Sequence, residues 1–402
     1  MRDVSRVERY TDAFDAMCDR NLVQSMYSEC TVLMDSVLLV LHGDEHALRR
    51  SNELKLFRKD FARYYLKEVY PKTLEMTLEP YLREGHMELF DFAHRVNINL
   101  SADFAGIDRP TGRVEETERL MALVRKFSEG ATLFHSTRDK AEVCTEVEQA
   151  LEQFDLEFFQ PSKARREYAL QQFELGELSE DQLPRDILTV LLQNRDALGM
   201  DDALMRRETG FFLQAGFHSS GNSTVHAFHE IYSWLQAHPE DKSRILEDRL
   251  FMQRCVHESM RLHPASPAAW RTAACPMSLP NGIDVKEQGA VVVDLQAANM
   301  DTDIFGEDAA QYNPHRSITG RYPPYGLTFG IGLHTCFGRD LAGGAVPKAN
   351  TDPDEHHYGI VTSLVQRLFD VGAQPDLTKP PSMDSNTERK NWASYPVLLT
   401  HT

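Results

Sequence analysis

Through most of the first 250 residues, apolar side chains recur every three or four positions, the spacing that lines one face of a helix. Leu54, Phe57, Phe61 and Tyr65 show it, and segments near 115–129, 138–160, 184–194, 201–236 and 242–263 carry the same period. The stretch from Asp201 to His238 is long for one helix, and Gly210, Gly216 and Gly221 interrupt it with low helix propensity. After Pro264 the pattern changes. Short apolar runs such as Ala290-Val291-Val292-Val293 alternate with Pro, Gly and Asn, which predicts strands and loops. Helical spacing returns at Ile360, Val361, Leu364, Val365, Leu368 and Phe369. Between these regions Gly343–Tyr358 (GGAVPKANTDPDEHHY) is polar and holds two prolines, so it is expected to be a surface loop splitting a helix that begins after Cys336. The predicted class is mainly α in a single domain, helix-rich over 1–263 and mixed β and loop over 264–402.

Composition narrows the function classes. Hydrophobic residues make up 42% of the 402, enough for a large core. The formal net charge of −18 argues against a nucleic-acid partner, which needs clustered Lys and Arg, and against adhesion to anionic membranes. The first residues, MRDVSRVERYTDAFDAMCDR, hold no apolar signal core, and the run Val37–Leu41 is too short to span a bilayer. A cytoplasmic protein without membrane contact is expected. The six cysteines, at 18, 30, 144, 255, 275 and 336, form no CxxC pair and no zinc-like cluster. Most are expected to be reduced, buried thiols, so one in special surroundings stands out.

That one is Cys336, in Phe329-Gly330-Ile331-Gly332-Leu333-His334-Thr335-Cys336-Phe337-Gly338-Arg339-Asp340-Leu341-Ala342. Its three glycines let backbone approach a flat ligand closely. Backbone N–H groups aimed at the sulfur would stabilise a thiolate, as would the start of a helix at Leu341 and Ala342. The spacing F-G-x-G-x-H-x-C-x-G-x-x-L-A resembles the haem-binding signature of the cytochrome P-450 family. The resemblance implies heme b, Cys336 as the thiolate ligand of its iron, and Phe329 and Gly330 as parts of the haem-binding loop. It also implies a helical prism with small β-sheets, the haem buried between a long distal helix and the cysteine loop.

Other segments match in order and distance. Glu258-Ser259-Met260-Arg261 resembles the family's E-x-x-R helix, where a carboxylate and a guanidinium three apart share one face. Arg316 matches the later arginine that joins this buried pair. Arg271 falls where the family places a haem-propionate arginine, suited to a carboxylate by its bidentate fork. His46 and Arg50, in His42-Gly43-Asp44-Glu45-His46-Ala47-Leu48-Arg49-Arg50, resemble the bacterial H-x-x-x-R pattern and project from one helix face. His334 matches another propionate contact. Met300 stands where an arginine is usual.

The distal segment departs from the family. Ala215-Gly216-Phe217-His218-Ser219-Ser220 aligns with A-G-x-D/E-T-T. The Ala215–Gly216 step is kept, and the missing Cβ of Gly216 is expected to leave room for oxygen. His218 replaces the acid and Ser219 the threonine. Serine donates and accepts hydrogen bonds, and histidine relays protons near neutral pH, so a relay is one reading; His218 as a cap on a helix distortion is the other. Phe217 is expected to pack in the core. His46 also lies at about half the usual family distance from the first residue, which predicts that the first helix and much of the first sheet are reduced or absent.

The resemblance implies a monooxygenase that oxidises a small, largely apolar organic molecule in specialised metabolism or catabolism. A ferredoxin or flavodoxin with its reductase would supply electrons. Two alternatives stay open: a peroxide-driven or radical-coupling, ring-closing oxidase without oxygen insertion, and a haem-binding protein without turnover.

Overall fold

The structure, a computed structural model, describes residues 4–57, 63–318 and 320–400. Helices dominate up to Leu262, as the periodicity predicts. Those that frame the site are α1 (Tyr10–Cys18), α2 (Gly43–Glu53), α3 (Leu89–Ala105), α4 (Asp202–Ala237), α5 (Arg249–Leu262), α6 (Arg339–Ala342) and α7 (Ile360–Asp370). The predicted helix near 115–129 is Val114–Ala131, and that near 184–194 is Ile187–Gln193. The one near 138–160 is Lys140–Phe154, continuing through a wider turn. The pattern over 242–263 breaks at Asp248, whose carboxylate caps α5 by accepting from the Phe251 N–H. Among the described residues no helix is long and apolar enough to cross a membrane.

The apolar spacing at Leu54 and Phe57 misleads. Both sit in turns after α2, closed by Phe57 N–H donating to Leu54 O at 3.0 Å, and Phe57 spends its ring on Phe104, stacked at 5.7 Å. Tyr65 opens the next helical stretch, and Phe61 lies outside the described residues.

The 36-residue α4 runs through all three of its glycines without a break. Its N-terminus is capped by Asp201, which accepts from Leu204 N–H at 2.7 Å. Each glycine costs about 1 kcal/mol of helix propensity, and close packing offsets this. A Cβ at 216 would sit 2.7 Å from Ser101 Oγ, and one at 221 would sit 2.8 Å from the His94 ring. The glycines therefore let α3 lie directly against α4. Phe217 is fully buried there, as expected.

A four-stranded sheet packs at the other end, ordered β1–β4–β3–β2, from β1 (Val4–Val7), β2 (Leu22–Gln24), β3 (Ala268–Ala273) and β4 (Ala290–Asp294). The chain thus forms a helix, α1, and strands of a four-stranded sheet within its first 24 residues. β1 pairs in parallel along Ala290–Val293 and β2 antiparallel along Arg271–Ala273, with α1 between them. Three or four residues in register are enough to add each strand to an existing edge.

Two further features position the site. The hairpin β5 (Ser382–Met383) and β6 (Trp392–Ser394) carries its tip onto the segment after Val114–Ala131. There Glu388 N–H donates to His135 O at 2.8 Å and Thr137 N–H to Asn386 O at 3.1 Å. On α5, Glu258 and Arg261 pair twice, at 2.7 and 2.8 Å, and Arg316 joins at 3.0 Å. All three are buried, as the family resemblance implies.

Gly343–Tyr358 is a loop, as the sequence predicts, and it separates the single turn of α6 from α7. Its neck is tight. Ala345 N–H donates to His357 O at 2.8 Å, and the Gln253 amide donates to the carbonyls of Gly343, Ala345 and Tyr358 at 3.1, 3.1 and 3.2 Å.

Candidate functional site

The cysteine loop is shaped by its glycines. Gly332 has φ +73°, and a Cβ there would lie 2.6 Å from Met17 O, so only glycine lets the loop rest on the end of α1. Gly330 (φ +62°) makes the preceding turn, its N–H donating to Leu327 O at 2.8 Å. Cys336 N–H closes the loop onto Phe329 O at 2.9 Å. The Phe329 ring packs edge-on to Tyr325 at 5.0 Å. The N–H groups of Gly338 and Arg339, at the start of α6, point at the Cys336 sulfur and favour its thiolate. Burial is the larger influence and raises the thiol pKa. Cys336 nevertheless presents accessible surface, as does Ala215 on α4. Phe212 of α4 stacks on Phe337, the residue after Cys336, at 6.3 Å, so α4 comes up to the cysteine loop.

Basic side chains converge beside the loop. His46 and His334 lie ring to ring at 4.8 Å. Both nitrogens of His46 and Nε2 of His334 are buried without a partner. Burial, then Arg50 and His42, pushes His46 down to about 4. Burial, then Arg271 and His46, pushes His334 down to about 3. Arg50 donates to Thr335 O at 2.6 Å and lies 4.2 Å above the Phe337 ring. Arg271 is 3% exposed, yet finds only Gln24 Oε1 at 3.1 Å, Trp270 O at 2.9 Å and Met17 Sδ at 3.3 Å. Desolvation holds it at about 10. Buried cations and unpartnered imidazoles grouped this way are the complement of a dianion. Together with a thiol aimed into the interior, they fit a haem with two propionates.

Ala215 and Ser219 follow Phe212 by about one and two turns of α4. Ser219 Oγ donates back to Ala215 O at 2.7 Å. The missing Cβ of Gly216 makes room for Ser101 of α3, which corrects the expectation that it leaves room for oxygen. His218 Nε2 meets three donors: Asn391 Nδ2 at 3.2 Å, Asn222 Nδ2 at 3.3 Å and Arg389 Nη2 at 3.4 Å. Burial, then Arg389, holds its pKa well below the usual value. The imidazole is therefore neutral, with Nε2 as acceptor.

The family model described as Cytochrome P450 matches residues 132–343, just over half of the chain. The chain belongs to the cytochrome P450 family. Pulcherriminic acid synthase of Bacillus subtilis (strain 168) is 24% identical over 323 residues, covering 77% of this chain and 71% of that protein. Two solved structures share the fold of this cytochrome P450. CalO2 has a TM-score of 0.74 at 16% identity, covering 99% of this chain and 91% of its own. CxnD, a cytochrome P450 enzyme for C–S bond formation in chuangxinmycin biosynthesis, has a TM-score of 0.71 at 17% identity, covering 98% and 88%. Like its family, this cytochrome P450 is a haem-thiolate monooxygenase with heme b as cofactor, acting on a small molecule with a redox partner.

Several residues around the P450 site escaped the sequence reading. His42 was detectable, since it lies four positions before His46 and its ring N is 2.8 Å from Arg20 O at the same end of the loop. Tyr27, Asn222, Arg389 and Asn391 carried no local signal, because none sits in a motif.

Proposed function

We propose that Cys336 is the thiolate ligand of the haem iron and that the enzyme hydroxylates or otherwise oxidises a small, largely apolar molecule in specialised metabolism or catabolism. A ferredoxin or flavodoxin with its reductase supplies the electrons. The observation that carries this reading is the Cys336 sulfur, met by the Gly338 and Arg339 N–H groups beside the unpartnered basic cluster of His46, His334 and Arg271. Bound haem supplies the oxygen activation, and a thiolate ligand pushes electron density that favours O–O cleavage. The chain supplies the rest. Gly338 and Arg339 hold and stabilise the sulfur charge. Arg50 and Arg271, with the free nitrogens of His46 and His334, hold the propionates. Phe57, Phe212 and Phe337 form a dry wall.

One observation favours a second reading. Ser219 already gives its proton to Ala215 O, and His218 Nε2 accepts from three donors, so neither Ser219 Oγ nor His218 Nε2 has a free proton to deliver. A peroxide-driven or coupling and ring-closing oxidation, without oxygen insertion, asks less of proton delivery. The bond-forming activity named for CxnD agrees with it.

The reduced protein with carbon monoxide should give the strongly red-shifted band of thiolate-ligated haem, and Cys336→Ser should abolish it. Porphyrin-free protein, or a band unchanged in the variant, would overturn the assignment. Oxygen-18 gas then separates the two readings: label in the product supports insertion, and an unlabelled oxidised product supports coupling. No turnover with any donor or peroxide leaves a haem-binding protein.

A further inference from the structure

Buried arginines in this protein have carboxylates. Arg49 meets Glu208 at 2.6 Å, Arg166 meets Asp186 at 2.9 Å, Arg261 meets Glu258 at 2.7 Å, and Arg316 meets Glu258 at 3.0 Å. Among the described residues that are not exposed, Arg50, Arg271 and Arg389 have none. Arg50 and Arg271 lie in the cluster that fits the haem propionates. Arg389, half-buried, lies at the tip of the β5–β6 hairpin.

Arg389 points into the interior. Its guanidinium donates to Thr132 Oγ1 at 2.9 Å, and only distantly to Ala265 O and His218 Nε2, both at 3.4 Å. Its Nε is buried with no partner. Asp384 pulls on it only at long range, and burial dominates, lowering its pKa. The side chains packed beside it carry no carboxylate: they are the neutral His218, Asn391 and Asn222, and His135, held at about 4 by burial and then by Arg389. Burial raises the pKa of the nearby Tyr27, while Arg389 and Arg271 lower it. Arg389 therefore meets α4 at His218, the residue before Ser219.

A desolvated guanidinium without an anion is costly, and a carboxylate repays that cost with two parallel charge-assisted hydrogen bonds. We propose that the substrate bears a carboxylate, bound by Arg389, with its apolar remainder extending toward the haem. This deepens the oxidase reading above and rests on it. Arg389 is a substrate-binding residue, and its contact with His218 Nε2 keeps that imidazole neutral and fixed. Thr132 and Ala265 hold the guanidinium in place.

The test titrates the haem-loaded protein with matched acids and primary amides: octanoic acid and octanamide, 3-phenylpropanoic acid and its amide, indole-3-propionic acid and its amide. Binding is read by the haem absorbance shift and by calorimetry. At least one acid should bind about tenfold or more tightly than its amide, the worth of a hydrogen-bonded charge. Arg389→Gln should erase that preference, Arg389→Lys should keep part of it, and the carbon-monoxide band should persist in both. The preferred acid should raise the Tm of the wild type and not that of Arg389→Gln. Acids binding no better than amides in every pair would overturn the proposal. So would an acid preference that survives in Arg389→Gln, which would leave the arginine a purely structural role. Protein lacking the thiolate band before any ligand is added would refute the site reading itself, whereas a normal band with no acid preference refutes only this inference.

Discussion

Glu258 is the single carboxylate between two buried arginines, and its removal should be felt from α5 to the haem. Its oxygens accept from Arg261 at 2.7 and 2.8 Å, from Arg316 Nε at 3.0 Å and from Asn313 N–H at 3.1 Å. Glu258→Gln keeps the volume and removes the charge. Arg316 would retain Asp308 at 2.5 Å, but that carboxylate is 42% exposed and screened by water. Arg261, fully buried, would keep only carbonyls, those of Asn299 at 2.5 Å, Ala309 at 2.7 Å and Gln311 at 3.4 Å. One guanidinium is then stranded, and stranding one partner of a buried pair costs about 3–5 kcal/mol. The expected loss is about 4 kcal/mol in urea unfolding followed by circular dichroism. The damage should also reach the cofactor. Asn299 donates to Arg261 O at 3.0 Å and to Thr328 Oγ1 at 3.1 Å, and accepts from Leu327 N–H at 2.7 Å, immediately before the cysteine loop. The variant should therefore bind less haem per chain at equal protein concentration. Stability within about 1 kcal/mol of wild type, or a full complement of haem, would refute the reasoning.

Two further predictions concern buried strain. Glu53 is fully buried, neither of its oxygens has a partner, and burial followed by the nearby Glu208 raises its pKa well above the usual range. Glu208 holds the charge of this pair, because Arg49 and the Leu38 N–H are on it. A folded-state pKa raised above the unfolded value gives stability that is complete below about pH 4.3 and lost as pH rises toward the folded pKa, at about 1.4 kcal/mol per unit of displacement. Glu53→Gln should thus melt higher than wild type at neutral pH and equal to it near pH 4; equal Tm at both pH values would contradict a protonated Glu53. Gly359 has φ +80°, and a Cβ there would lie 2.5 Å from Ala342 O and Gly344 N, whereas one at Gly85 (φ +71°) would meet nothing within 4 Å. Gly359→Ala should cost at least about 2 kcal/mol more than Gly85→Ala, which isolates the backbone penalty of about 1 kcal/mol; equal losses in urea unfolding would mean the neck relaxes freely.

What was legible in the sequence is what is encoded locally. The cysteine loop is one contiguous segment, and E-x-x-R needs only the helical repeat to put Glu258 and Arg261 together. α4 was legible despite its glycines, since the apolar period persists through them. β1 and β2 were not, because strands of three and four residues are defined by partners more than 200 positions away. Leu54 and Phe57 imitate helical spacing because a turn that delivers a phenylalanine to Phe104 and Phe337 needs the same interval. Gly216 shows the limit at finer scale: the sequence marks a residue without a Cβ, and only the packing of α3 shows which neighbour needs the space. Arg389 lies beyond local signals altogether, since a basic residue in a hairpin tip ordinarily points to solvent.

The excursion from Gly343 to Tyr358 raises a physical question, because it interrupts the helix directly behind the sulfur ligand. The turn that serves Cys336 completes itself first: Ala342 N–H donates to Gly338 O at 2.7 Å and Gly343 N–H to Arg339 O at 2.9 Å. The two N–H groups facing the sulfur therefore owe nothing to the chain beyond the neck. The neck is then tied to α5, where Gln253 holds three of its carbonyls and His257 Nε2 lies 2.7 Å from Gly343 O. One turn further along the same helix, Met260 O accepts from Thr328 Oγ1 at 2.7 Å, and Arg261 fixes Asn299. Positions 253, 257, 260 and 261 share one helical face. α5 thus grips the cysteine loop at both its entry and its exit, and this is why an inserted loop can follow the ligand without loosening it.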